Sequence, residues 1–177
     1  AIVAESMPPL RQAYLPYPWP HLYEYIKCTA VIAVERFDGD EPLVIGCLVK
    51  DPAGKRLVEI GRAINEVSQH SNADSARYRL FMRFGRLPFF IRLPLLWVMF
   101  NSGRLRSHYL GTFDVSAVSA MGTELIHTMA LSTVVSYGVF GADGTVAVRL
   151  TFDHRLMEGA TAARALARME EALKDRK

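Results

Sequence analysis

The stretch from Ser75 to Phe113 contains no acidic residue and no lysine, although seven arginines fall within it. Cysteine is scarce as well. Cys28 and Cys47 are too few for a disulfide framework and read as buried thiols on neighbouring strands, which fits a reducing, cytoplasmic setting. Long apolar runs are missing, since the most hydrophobic region, Leu87 to Phe100, is interrupted by Arg92 and is too short for a conventional spanning helix. The histidines at 21, 70, 108 and 127 have no zinc-ligand spacing, so no metal is expected. Neither a Walker sequence nor a nucleotide-binding glycine fingerprint occurs, and no internal repeat is visible. A secretory leader is also lacking. The chain starts at alanine without an initiator methionine, which raises the expectation of a missing upstream segment.

What remains describes a folded body. Half of the 177 residues are hydrophobic and the formal net charge is only +3, so disorder and a strongly polyanion-directed role are disfavoured. One domain is expected. Residues 1–6 read as the tail of a helix, and Leu10 to Tyr14 as a helical turn set off by Pro8-Pro9. Alternating prolines and aromatics from Leu15 to Tyr23 predict a stiff, extended path. Residues 1–25 are therefore assigned as an N-terminal strap along the domain or a neighbouring subunit, with recognition of a partner as the other reading.

From residue 26 the pattern becomes regular. Ile26 to Arg36 and Leu43 to Lys50 read as antiparallel strands joined at Phe37-Asp38-Gly39-Asp40, and Asp51-Pro52-Ala53-Gly54 makes a second turn. Leu57, Ile60, Ile64 and Val67 recur at helical spacing, which predicts an amphipathic helix ending near Gln69. Strands are predicted at Thr112 to Val118, Thr133 to Val139 and Val146 to Phe152. Ser119 to Gly122 makes a turn, His127 to Met129 a loop, and Gly141-Ala142-Asp143-Gly144 a hairpin turn. A helix from Thr161 to Leu173 closes the chain.

The arginine and aromatic stretch at 75–110 reads as an insertion. Gly85, Pro88 and Pro94 are expected to divide it into short pieces. Three roles fit: helices packed on the sheet with arginines reaching outward, a membrane-surface contact through residues 78–100, or the wall of an acyl channel whose rim attracts phosphates. Nucleic-acid binding fits less well, because the apolar residues are too continuous and no binding module is present.

His154 stands at the end of the last strand, in Asp153-His154-Arg155, before a turn that closes at Glu158-Gly159. A histidine so placed is pinned on one side and reachable on the other, as a general base requires; capping or bridging the turn is the structural alternative. The string DHRLMEGATAARAL resembles the DHRxxDGAxAAxFL signature of the acyltransferase (E2) catalytic domains of 2-oxoacid dehydrogenase complexes, in the chloramphenicol-acetyltransferase-like group. Upstream, Gly111-Thr112-Phe113-Asp114-Val115-Ser116 resembles that family's GTFxxS segment.

The resemblance implies an α/β fold, a two-layer sandwich of the chloramphenicol-acetyltransferase-like type with a mixed sheet and packed helices, over residues 26–177. It implies acyl transfer from a thioester, acyl-CoA or an acyl carrier, to a hydroxyl, amine or thiol. Coenzyme A then enters as substrate and the acyl group is hydrophobic. His154 would be the general base and Ser116 the oxyanion donor, with Glu158, Arg155 and Gly159 organising the turn, Gly159 by a tight start to the last helix. In the family these two residues meet across a subunit boundary, so a homotrimer with interface sites is implied. Glu158 replaces the usual aspartate, and Asp114 a small polar residue. No lipoyl domain, peripheral subunit-binding domain or alanine-proline linker is visible. The chain therefore looks like a small stand-alone relative, with a catalytically silent oligomeric scaffold, peripheral to a membrane through residues 78–100, as the alternative.

Overall fold

The computed structural model describes residues 1–38, 41–69, 76–116 and 131–175. The predicted turn at 119–122, the loop at 127–129, His70 and the tip of the first hairpin at 39–40 lie outside the described residues. Helix α1 (Ile2–Ser6) and a 3-10 turn (Pro8–Arg11) lead into strand β1 (Gln12–Leu15). The chain reverses and pairs β1 antiparallel with β2 (His21–Glu24).

The expected helical turn at Leu10 to Tyr14 is thus mostly strand, and the proline-aromatic segment is a hairpin loop. Register and charge explain the reversal. Gln12 pairs with Glu24 and Leu15 with His21, while Arg11 bridges to Glu24 at 2.9 Å and its carbonyl accepts the Tyr25 N–H. The chain before β1 also enters the main core, since Val3, Ala4, Met7 and Leu10 are buried with it.

The main sheet has five strands: β3 (Thr29–Asp38), β4 (Glu41–Lys50), β5 (Phe113–Ser116), β6 (Thr133–Phe140) and β7 (Val146–Phe152). Their order is β4-β3-β5-β6-β7, with β3, β5 and β6 parallel and the two outer strands antiparallel to their neighbours. Alternation sends Ala30, Ile32, Val34, Cys47, Val49, Phe113, Val115, Leu150 and Phe152 to one face. Helices α1, α2 (Leu57–Gln69) and α6 (Gly159–Lys174) cover that face. This is the two-layer, mixed-sheet α/β architecture expected from the sequence.

In α2 the predicted spacing holds for Ile60, Ile64 and Val67, which pack on the core, whereas Leu57 is exposed. Cys28 and Cys47 are buried and form no disulfide; the Cys47 thiol donates to the Ala63 carbonyl. The arginine-rich insertion forms α3 (Ala76–Gly85), α4 (Phe89–Asn101) and α5 (Gly103–Tyr109). Gly85 and Pro88 divide it as expected, but Pro94 does not, because α4 runs through it. Pro94 has no N–H to offer the carbonyl of Phe90, and the helix carries on with that one acceptor unfilled from within. Among the described residues, no helix is long and apolar enough to cross a membrane.

After α5 the chain returns to the sheet through Gly111 and Thr112. Gly111 has φ +89°, and a Cβ there would stand 2.3 Å from Val31 Cγ2, so glycine meets both a backbone and a packing requirement. The Thr112 hydroxyl accepts the Thr29 N–H at 2.9 Å and donates to the Thr29 carbonyl at 3.1 Å. The Thr112 N–H donates to the same carbonyl at 2.8 Å. This buried clasp delivers β5 alongside β3.

Candidate active site

Strand β7 carries the histidine motif to the sheet end. The Asp153 N–H donates to the Ser132 carbonyl at 3.1 Å, and its own carbonyl accepts Leu156 N–H at 2.9 Å, which closes the turn. Leu156 and Met157 are buried and anchor the turn below. Arg155 grips Asp153 with both ends of its fork, Nε to Oδ1 at 2.9 Å and Nη2 to Oδ2 at 2.6 Å, and its backbone N–H adds a third bond to Oδ1. Arg155 beside Asp153 holds that carboxyl below its ordinary range, against a smaller upward push from burial. The guanidinium also lies 4.4 Å from the centre of the Tyr14 ring, so β1 supports the motif from outside the main sheet.

His154 is exposed, and its ring tilts against Phe152 with centroids 4.7 Å apart. Arg155 is thus the loop's ion-pair partner, as the motif suggests, and it pairs with Asp153. Glu158 occupies the position before α6, where its carbonyl accepts the N–H groups of Thr161 and Ala162. Its side chain is exposed and makes no capping bond, but its charge stands at the positive end of a 16-residue helix. At Gly159 a Cβ would meet nothing within 4 Å among the described residues, so crowding within one chain does not explain a glycine at the start of α6.

Ser116 ends the described part of β5 and is 1% exposed. Because Phe113 and Val115 face the helices, alternation turns Asp114 and Ser116 to the opposite face of the sheet. Ser116 is level with Ser136 of β6, while Phe152 is level with Thr133, and His154 lies two residues beyond Phe152. The two candidate residues are therefore on the order of 15 Å apart along the strands and about 10 Å apart across them. One chain does not bring them together.

Two cavities lie away from the histidine turn. An open cleft of about 410 Å³ lies where β3 begins and β4 ends, lined by Tyr25, Lys27, Cys28, Lys50, Arg104 and His108 among others. Burial pushes the Cys28 thiol and the Tyr25 phenol above their ordinary values. A small cavity of about 30 Å³ sits under α6, bordered by Phe113, Thr133 and Met169, and the buried Thr133 hydroxyl has no hydrogen-bond partner among the described residues. A single water would fit such a place. Neither cavity is lined by Ser116 or His154.

Solved structures share this arrangement over nearly the whole chain. A probable dihydrolipoamide acetyltransferase from Listeria monocytogenes superposes with a TM-score of 0.61 at 18% identity, covering 98% of this chain and 66% of that one. The chain has the fold of a dihydrolipoamide acetyltransferase core. The cubic core of the pyruvate dehydrogenase multienzyme complex gives a TM-score of 0.61 at 16% identity, with 97% and 63% covered. The acetyltransferase of Azotobacter vinelandii, studied for the catalytic roles of a serine, a histidine and an asparagine, gives 0.60 at 16% identity, with 98% and 64% covered. The chain thus spans just under two thirds of the length of these three acetyltransferase-core structures. No protein-family model matches the sequence, and no curated protein matches it.

Proposed function

We propose that this protein is an acyltransferase that moves a hydrophobic acyl group from a thioester, acyl-CoA or an acyl carrier, to a hydroxyl, amine or thiol. The observation that carries this reading is the histidine turn. His154 is exposed at a strand end, on a loop fixed by the Asp153–Arg155 fork and anchored by Leu156 and Met157. In its neutral form the ring takes the proton of the acceptor, which attacks the thioester carbonyl. A hydroxyl donor then stabilises the tetrahedral oxyanion, and Ser116 is assigned that part. Collapse of the intermediate breaks the C–S bond, and the imidazolium returns its proton to the leaving thiolate, which departs as free thiol. The acetyltransferase of Azotobacter vinelandii supports the pairing, because a serine and a histidine are the residues examined in its mechanism, with an asparagine four residues beyond the histidine. Glu158 stands at that spacing from His154.

Separation of Ser116 and His154 within the chain makes self-association part of the reading. Each site takes His154 from one copy and Ser116 from another, in a trimer. Coenzyme A is a substrate here, and no step calls on a metal.

A second reading has its own observation. Ser116 is almost fully buried and lines neither of the two cavities found among the described residues, which favours a silent, oligomeric scaffold with this fold. Release of free thiol from short, medium and long acyl-CoAs, with mixed small acceptors, separates the two. Turnover lost in His154→Ala, with folding and assembly retained, supports the enzyme. Turnover unchanged in that variant overturns the mechanism, and silence of the assembled wild-type protein favours the scaffold.

A further inference from the structure

Helix α4 has the wrong surface for a helix in water. Its sequence, FFIRLPLLWVMFN, is apolar except at Arg92 and Asn101, yet none of its residues is buried. Phe89 is 64% exposed, Phe90 75% and Trp97 52%, and these lie on more than one side of the helix. A helix apolar all round is normally enclosed by protein or by lipid. A second element, far away in sequence, extends the same surface. In the β1–β2 loop, Tyr17 packs on Trp97 with ring centroids 5.5 Å apart, and Trp19 beside it is 69% exposed.

Charge identifies the occupant. The insertion has seven arginines and no acid, and exposed Arg83 and Arg86 precede α4 while exposed Arg104 follows it. Arg79, Arg83 and Arg86 recur at i, i+4 and i+7, one stripe beside that of Leu80, Phe84 and Leu87. A two-fold contact with a second copy is a poor fit. In a two-fold contact through this face the same patch meets itself, setting arginines against arginines with no acid in the segment to offset them. An anionic bilayer satisfies both halves of the surface. Its headgroups take the arginines, and its acyl boundary takes the aromatic and aliphatic side chains. At 13 residues α4 is roughly 20 Å long, short of the ~30 Å hydrocarbon layer, so it lies in the membrane plane.

We propose that α4, flanked by Arg83, Arg86 and Arg104 and joined by Tyr17 and Trp19 of the hairpin loop, docks this protein on an anionic lipid surface. The proposal does not depend on the acyl-transfer reading. Its test is flotation of the whole chain with phosphatidylcholine vesicles and with vesicles also containing phosphatidylglycerol. Trp97 fluorescence is followed in a Trp19→Phe background, which leaves it as the single tryptophan. The expected result is flotation with the anionic vesicles only, weakened by salt, with a blue shift of Trp97 and quenching by brominated lipid. Combined Arg83→Glu, Arg86→Glu and Arg104→Glu substitution lowers binding at least tenfold. These arginines are exposed, so circular dichroism should show an intact fold. A Phe90→Ser, Trp97→Ser pair, assayed by flotation alone, removes binding by the apolar route. Equal binding to neutral vesicles, or no flotation with either, overturns the proposal. So does a Trp97 blue shift that grows with protein concentration without lipid, which assigns the face to a second copy.

Discussion

The Arg155 guanidinium stands 4.4 Å from the centre of the Tyr14 ring, which ties the first hairpin to the histidine turn. Arg155→Lys keeps the charge but loses the planar fork that holds both Asp153 oxygens. Because the Arg155 side chain is 61% exposed, unfolding free energy should fall by under about 1 kcal/mol. Transfer should fall by more than that loss accounts for, since the turn that aims His154 loosens. Urea unfolding and thiol release on the same samples check this, and Tyr14→Ala should move both quantities in the same directions.

Asp153 also sets an acid limit. Its carboxyl is depressed in the folded state, so its contribution to stability is full well above the ordinary aspartate value of about 3.9. It disappears as pH falls through that value towards the folded one. Urea midpoints measured from pH 6 down to about 3 should decline in the wild type. In Asp153→Asn that part of the decline should be missing, on a lower neutral-pH baseline.

The proposed sharing of each site between two copies predicts complementation. Ser116→Ala and His154→Ala should each be impaired alone, the serine variant less completely because water or a backbone amide can take part of the oxyanion role. Unfolding and refolding the two together should restore activity, since mixed assemblies contain sites with both residues intact. No recovery in demonstrably mixed assemblies would place both residues in one chain's site or in none.

Two glycines of the motifs should behave oppositely. Gly111→Ala forces a Cβ against Val31 at positive φ and should cost at least about 2 kcal/mol or abolish folding. Gly159→Ala enters open space and should change monomer stability by no more than about 0.5 kcal/mol. If thermal melts confirm this while Gly159→Ala loses assembly or activity, the glycine is needed where another copy packs.

Periodicity reported what is local. The β3–β4 pair, α6 and most of α2 follow from side-chain spacing, because each buries a face that alternation or helical repeat writes into the chain. Pro16, Pro18 and Pro20 misled for the same reason. They favour extension locally, whereas the reversal is set by pairing of Gln12 with Glu24 and the Arg11–Glu24 bridge. In the sequence Pro94 suggests a break, although losing one backbone bond does not end a helix. The positions of Ser116 and His154 depended on β5 entering between β3 and β6, a non-local pairing that no spacing reports. The cleft at Lys27, Cys28 and His108 is illegible too, since it forms where the run Tyr25–Thr29 meets Lys50, Asp51 and α5, a meeting that no local spacing reports.

The hydrogen bonds between Thr112 and Thr29 settle where β5 begins after the insertion has ended. A chain that rejoins its sheet through so compact a fastening takes the register of the strand bearing Ser116 from β3 and β6 and not from the helices before it. On the two proposals above, the surface assigned to lipid and the strands assigned to chemistry are then separate parts of one fold.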